Sequence, residues 1–477
     1  MTAIGVMSSS SSIAGGSECT NVRYTSASGA KTEIVFQFEK GYTCGQYVNG
    51  DWWVSADATG VVVLTGVAPE AGNGYNGFEI NPSNKNKQGF DKRIHGYEAS
   101  LNVRLPAHIK SGSSIVKTVS VDANKIKCRP CLQFAAILTV LKSPPDQSSE
   151  FFRPAYFGNE KVHYAVPKDI LKRFPRLPVT CCSEAKNDDF ENILRRYRGV
   201  QLDHLEKWMG RDMHPIDNMP DYGASIATDN AVSALRFMLS DFDFERQTHR
   251  LAFLSYLQMG VDFKGMAMAG VKWPGAGGHG NGRKLPILLA ARLLGRDDFL
   301  QAAKRAVFSE DEQVYFSDKT GKALYGAPCS DNDYWVSIRF GRGARDCRDP
   351  YGYIDGGGDG IGKAYQFCCT AMPWKYTALA VRMLGLEQEW ANNAFLEYTD
   401  RWVNEGAWAN PDPCAPYNNN PEDYMKVYGP DKDKNCIRGV GRYKSMHGAN
   451  KDGGYYRNKI GDQMWRIYRD GVGQVGR

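Results

Sequence analysis

The chain has 477 residues, 42% hydrophobic and 23% charged; it is too long for one ordinary domain, and its composition is that of a folded globular chain. Its formal charge of +6 is a mild excess that permits attraction to an acidic polymer, but with no Lys/Arg run and no DNA- or RNA-binding motif, nucleic acid is not the expected partner. No stretch is long and apolar enough to span a bilayer, so no membrane partner is expected.

In chain order, residues 1–19 read as a disordered leader. They include five consecutive serines at 8–12 and lack the basic segment and apolar core of a signal peptide. Residues 20–142 are strand-like. Residues 32–38 alternate in polarity, 47–54 place an Asn-Gly turn between strand formers, 61–64 are a short apolar run, 115–121 are rich in β-branched residues, and 135–141 close the region. Short strands separated by Gly, Asn and Pro predict a β-sandwich. Residues 143–189 read as a linker, opening on Ser143-Pro144-Pro145-Asp146, followed by an irregular segment.

From residue 190 to 477 the period is helical. Ala234-Leu235-Arg236-Phe237 is echoed by Ala291-Arg292-Leu293-Leu294-Gly295 and by Val381-Arg382-Met383-Leu384-Gly385. Each echo ends a helical stretch, and each is followed by an acidic turn and another amphipathic segment. A recurring helical hairpin predicts side-by-side helices, here expected to close into an α/α toroid. The expected fold class is therefore α+β and multidomain, an N-terminal β-sandwich followed by a predominantly helical toroid that carries the chemistry. Long Gly/Asp-rich insertions at 315–365 and 407–441 fit loops at the rim of an enzyme.

Twelve cysteines are an even and high count. Six of them (Cys19, Cys44, Cys329, Cys347, Cys414 and Cys436) lie in loop-like sequence, which predicts disulfides and an extracellular or periplasmic location. The vicinal pairs Cys181-Cys182 and Cys368-Cys369 are each expected to reach elsewhere, because adjacent cysteines seldom bond to each other. Cys128-Arg129-Pro130-Cys131 has zinc-ribbon spacing but no second such pair to complete four ligands.

The chemistry is concentrated in a pattern that occurs twice. One copy is His279-Gly280-Asn281-Gly282-Arg283-Lys284. The other is His447-Gly448-Ala449-Asn450-Lys451, continuing into Asp452-Gly453-Gly454-Tyr455-Tyr456. Each sets an imidazole, a carboxamide and a cation on a glycine-rich turn, a mixture suited to holding an anionic oxygen while moving a proton. These strings, with Gly45-Gln46-Tyr47-Val48-Asn49-Gly50-Asp51-Trp52-Trp53, resemble secreted bacterial polysaccharide-lyase-like proteins that join a β-sandwich to an α/α toroid. The resemblance spans about 40–470 and implies β-elimination on a uronic-acid polymer. The domain order differs from lyases whose toroid precedes large β-domains, so no catalytic residue is carried over from them.

Read from the residues, β-elimination needs a neutralised carboxylate, a base for the C5 proton and an acid for the departing O4. Asn281 and Arg283 form the expected carboxylate clamp and His279 the base or its helper. His447, Tyr455 and Tyr222 are the further catalytic candidates. Lys284, Trp273, Asn450, Lys451, Tyr456 and Asp221 are the expected substrate-binding residues. The plainer alternative makes the first motif a helix-start loop with an exposed arginine. No cofactor is expected; Asp355-Gly356-Gly357-Gly358-Asp359-Gly360 could form a structural calcium turn. Neither Gly341-Arg342-Gly343-Ala344-Arg345 nor the stretch at 355–360 has the strand–helix context of a nucleotide site.

Two other function classes compete with the lyase. A glycoside hydrolase needs two facing carboxyl groups, for which Asp221, Asp229, Asp262, Glu310, Asp311, Asp355 and Asp359 are available. A non-catalytic carbohydrate-binding protein could use Trp52-Trp53 as a sugar platform, though a seam between domains suits that pair better. The commitment is to a lyase acting on an acidic polysaccharide.

Overall fold

The computed structural model describes residues 16–27, 32–146, 150–186, 188–317, 321–326, 366, 369–405 and 456–469. Eight strands form one mixed sheet: β1 Ser17–Thr25, β2 Glu33–Gln46, β3 Trp52–Ser55, β4 Val61–Ala68, β5 Phe78–Ile80, β6 Ala107–Lys110, β7 Ser113–Ser120 and β8 Leu132–Leu141. Their order is β5-β7-β8-β3-β2-β4-β6, with β1 paired to β2, and β3–β8 is a parallel pair among antiparallel ones. β1 begins at Ser17, inside the stretch expected to be a leader.

The sheet is a single curled half-barrel, which corrects the expected β-sandwich. The reason is visible in β8, whose alternate residues feed two different cores. Phe134, Ala136, Leu138 and Val140 join Ile34, Phe36 and Leu64 inside the curl. Leu132, Ala135 and Ile137 point the other way and pack with the helical part of the chain. Helices and irregular backbone thus cover the face that a second sheet would cover in a sandwich.

Residues 150–186 are not a spacer. Phe152, Tyr156 and Phe157 are fully buried in the helical core, β9 Phe151–Phe152 pairs with β10 Tyr164–Ala165, and Arg153 ties the two parts together. Its guanidinium is buried, bidentate to Asp262 at 2.6 Å on each arm, and bonded through Nε to Asp51. Trp53 is buried against Tyr47, Leu141 and Phe151 at the same junction, so it is a seam residue and not an open sugar platform.

The helices are α1 Asp189–Tyr197, α2 Gly223–Phe237, α3 Gln247–Met268, α4 Lys284–Leu294, α5 Asp297–Arg305, α6 Ser309–Glu312, α7 Ala371–Met383, α8 Glu387–Trp390, α9 Asn393–Glu405 and α10 Lys459–Tyr468. The echoed strings do end helices: α4 stops at Gly295 in a left-handed conformation (φ 65°), and Gly385 (φ 61°) follows α7. Their packing corrects the expected toroid. One group gathers around α3 (α1, α4, α5) and another around α7 (α9, α10), with α2 touching both; the described helices show no closed ring of repeated hairpins.

Among the described residues, three disulfides are seen: Cys19–Cys44, Cys128–Cys131 and Cys181–Cys182. The second removes the zinc reading of that spacing. The third corrects the expectation for the first vicinal pair, since the 3-10 turn Val179–Cys181 ends between the two residues and brings their sulfurs together. No described helix is long and apolar enough to cross a membrane.

Candidate functional site

The first motif forms the loop into α4, and its glycines fit it there. Gly282 has φ +99°, and a Cβ on it would lie 2.6 Å from the Ala227 backbone of α2. A Cβ on Gly278 would lie 2.3 Å from the Cys369 carbonyl and 2.9 Å from the Tyr222 ring. The loop is therefore pressed between α2, Tyr222 and Cys369, two residues before α7.

Within it, the expected carboxylate clamp turns inward. Arg283 is 1% exposed. It donates to Asp203 through Nε at 2.7 Å and a terminal nitrogen at 3.1 Å, and to the carbonyls of Asn281 and His279 at 2.6 and 3.2 Å. Asn281 is buried, its amide donating to the Cys369 carbonyl at 3.1 Å. Lys284 is buried on Asp311 at 2.8 Å and on the Trp390 carbonyl at 2.6 Å. Trp273, also buried, donates its Nε1–H to Asp203 at 2.8 Å. These four residues build the loop and do not face a ligand, because each long polar head found a partner distant in sequence.

Asp203 is the centre of that construction. His214 joins it through Nε2 at 2.9 Å and reaches the Pro220 carbonyl through Nδ1 at 2.8 Å. Burial opposes ionisation of Asp203, but Arg283 and His214 hold its carboxyl well below the usual range. Through His214 the hub links the motif loop to the turn that carries Asp221 and Tyr222.

A half-exposed group remains at the surface. The Tyr222 ring lies 6.4 Å from that of His279 and 6.4 Å from that of Tyr456. Its hydroxyl accepts the Gly278 N–H at 3.1 Å, and the Arg211 guanidinium sits 5.1 Å over its face while pairing with Asp221. Arg211 comes from the 3-10 helix Trp208–Met213. Burial, with Arg283 nearby, pushes the His279 imidazole down to about 4, so the ring is neutral in neutral solution. Its Nε2 meets the Lys207 carbonyl at 3.3 Å, which puts the proton on Nε2. Thus His279, Tyr222, Asp221 and Tyr456 are brought together. His447, Asn450, Lys451 and Tyr455, and the glycine turn at 355–360, lie outside the described residues.

Reading the sequence missed Asp203, His214 and Arg211. The signal was faint: Gly210-Arg211-Asp212-Met213-His214 sets a cation and an imidazole on one turn, but nothing local says that they face opposite ways. A separate cavity of about 270 Å³, lined by Phe157, Glu160, Tyr164, Lys264 and Met268 among others, includes none of these groups. Its Lys264 is held by Asp298 at 3.2 Å.

Glu310 supports the loop from below. It is fully buried, accepts the Gly282 N–H at 2.6 Å, and is pushed up to about 7 by burial. A folded value above the unfolded one means that its stabilising contribution is complete below about pH 4.5 and is lost as pH rises through 7. Glu310→Gln keeps the acceptor without the titration. Relative to wild type, it is expected to match at pH 5 and gain about 2–3 kcal/mol by pH 8–9. Urea midpoints at the two pH values check this; an equal difference at both would refute it.

No family model, characterised protein or solved structure matches this chain.

Proposed function

We propose that the chain is a secreted polysaccharide lyase that cleaves a uronic-acid-containing polymer by β-elimination, with Tyr222 as the proton-transfer group. The observation that carries this reading is the environment of the Tyr222 hydroxyl. It accepts a backbone N–H from Gly278 and lies in a half-exposed group with Arg211 and the neutral imidazole of His279. Negative charge on a phenolate there meets an N–H dipole and a guanidinium.

The step balances on the tyrosine alone. The phenolate takes the proton from C5, a C4=C5 double bond forms as the C4–O4 bond breaks, and the phenol returns its proton to the departing O4. The Arg211 guanidinium is the group to steady the sugar carboxylate as charge builds on it, with the neutral His279 ring packed beside Tyr222. Arg283 acts behind them by fixing the loop. The hydrolase alternative lacks its carboxylate pair here: around Tyr222 the described residues offer Asp221, paired with Arg211, while Asp203 and Glu310 are buried. The disulfides support an oxidising compartment.

Incubation with polygalacturonate, alginate, hyaluronan and chondroitin is expected to give ultraviolet absorbance from the new double bond with at least one polymer. Tyr222→Phe is expected to lower that rate on the order of a hundredfold or more without moving the urea midpoint. New reducing ends without absorbance would replace the lyase by a hydrolase. Binding without product would leave a carbohydrate-binding protein.

A further inference from the structure

Beside His279 the surface carries an aromatic ring and two cations that the proposed chemistry does not use. We infer that Trp208, Arg129 and Lys207 form a second subsite, which holds the adjoining acidic sugar of a polymer seated at Tyr222; the identity of that neighbouring site rests on the lyase reading. Trp208 is 49% exposed, an unusual state for so large an apolar ring. The Arg129 guanidinium lies 4.6 Å over it. Arg129 gives its Nε–H to Asp212 at 3.2 Å, and its two terminal nitrogens have no protein partner among the described residues.

The placement is built, not incidental. The Cys128–Cys131 disulfide closes the turn that presents Arg129. Cys131 then donates its N–H to the Asp212 carbonyl at 2.7 Å, and Ile216 donates to the Leu132 carbonyl at 3.0 Å, stitching the start of β8 to the 3-10 helix. Trp208 opens that helix. Arg211, one turn on, covers the Tyr222 ring, a rise of about 6 Å that is on the order of one sugar ring. Lys207, between Trp208 and the His279 contact, holds φ 72° and ψ 164° although it is not glycine. That rare backbone state turns its carbonyl to His279 and leaves its side chain exposed, and such states collect at binding sites.

The chemistry points to one class of ligand. An indole face stacks on the apolar face of a pyranose ring, and a guanidinium and an ammonium beside it meet the ring's carboxylate. A neutral glucan would use the ring and leave both cations without a counter-charge. A surface cation–π pair with no ligand makes the contrary prediction that removing it changes no affinity.

Retardation in native gels containing polygalacturonate, alginate, hyaluronan, chondroitin or neutral dextran separates these cases for the full chain. Wild type is expected to be retarded by at least one of the acidic polymers and not by dextran. Trp208→Ala and Arg129→Ala are each expected to weaken that binding about tenfold, and Trp208→Phe to retain most of it. On a cleaved polymer, the alanine variants should raise KM by the same factor and leave kcat within about twofold. Unchanged affinity in both alanine variants, equal retardation by dextran, or no retardation of wild type by any acidic polymer overturns the inference. If wild type is retarded and the variants are not, yet no unsaturated product forms, the subsite stands and the lyase reading falls.

Discussion

Arg153→Ala is expected to destabilise the fold by about 3–5 kcal/mol, and by more than any exposed substitution in the chain. The guanidinium is 1% exposed and is the shared counter-charge of two buried carboxylates, Asp51 from the β2–β3 turn and Asp262 from the middle of α3. Burial already pushes the Asp262 carboxyl up even with Arg153 beside it, so the charged form is held against a large desolvation penalty. Removing the arginine leaves both buried carboxylates without a counter-charge, with the Asn49 amide on Asp51 and the Tyr156 N–H on Asp262 as neutral donors, and strips the hydrogen bond to the Pro154 carbonyl. The cost lies in the orphaned charges, not in the net worth of the pair, and this makes the claim separable. Arg153→Met combined with Asp51→Asn and Asp262→Asn removes every charge in the group and is expected to recover a large part of the loss. Urea midpoints of the single and triple variants decide it. A mild single variant, or a triple variant no better than the single, would show that the group is solvated and that the sheet and helices are held by apolar packing alone.

The same junction explains what the sequence could and could not convey. Alternation in residues 32–38 correctly announces β2, because one face of that strand is buried and period two follows from it. The run at 135–141 is apolar except for Thr139, which says that both faces of β8 are covered but not by what. The cover is α-helical and irregular backbone on one side, so the sandwich expected from short strands between Gly, Asn and Pro turns does not form. Helix ends were legible from Leu-Gly and Met-Leu-Gly strings, since a left-handed cap favours glycine. Which helices lie side by side depends on contacts between residues far apart in the chain, and the expected ring does not appear among them. The motif at 279–284 was legible as a tight loop for the same local reason. The roles of its polar residues were not. Arg283, Asn281 and Lys284 were expected to face a substrate because their partners, Asp203, the Cys369 carbonyl and Asp311, carry no local signal. Within the motif His279 alone stays half-exposed, and the residue that completes the surface with it, Tyr222, sits more than fifty positions earlier.

Asp203→Ala is expected to lower stability by about 3–5 kcal/mol at pH 7 and to abolish turnover together with it. Four donors from three side chains converge on this carboxylate: two from Arg283, one from His214 and one from Trp273. In its absence the Arg283 guanidinium is left in the interior with only carbonyl partners, and the indole N–H loses its acceptor. Asp203's folded value is depressed below its unfolded one, so its contribution is present above about pH 4 and is lost as pH falls through the folded value. The gap between wild type and Asp203→Ala should therefore be full at pH 7 and shrink in strong acid. A constant gap would assign the effect to lost packing. Pairing Asp203→Ala with Arg283→Met removes the orphaned cation and should restore much of the stability. It should not restore turnover, because Asp203 and His214 are the buried link beneath the loop and the turn that align His279 and Tyr222, whose contact at the surface is the Gly278–Tyr222 hydrogen bond. Recovery of both would place the catalytic group elsewhere. Recovery of stability alone ties the surface chemistry to the buried carboxylate beneath it.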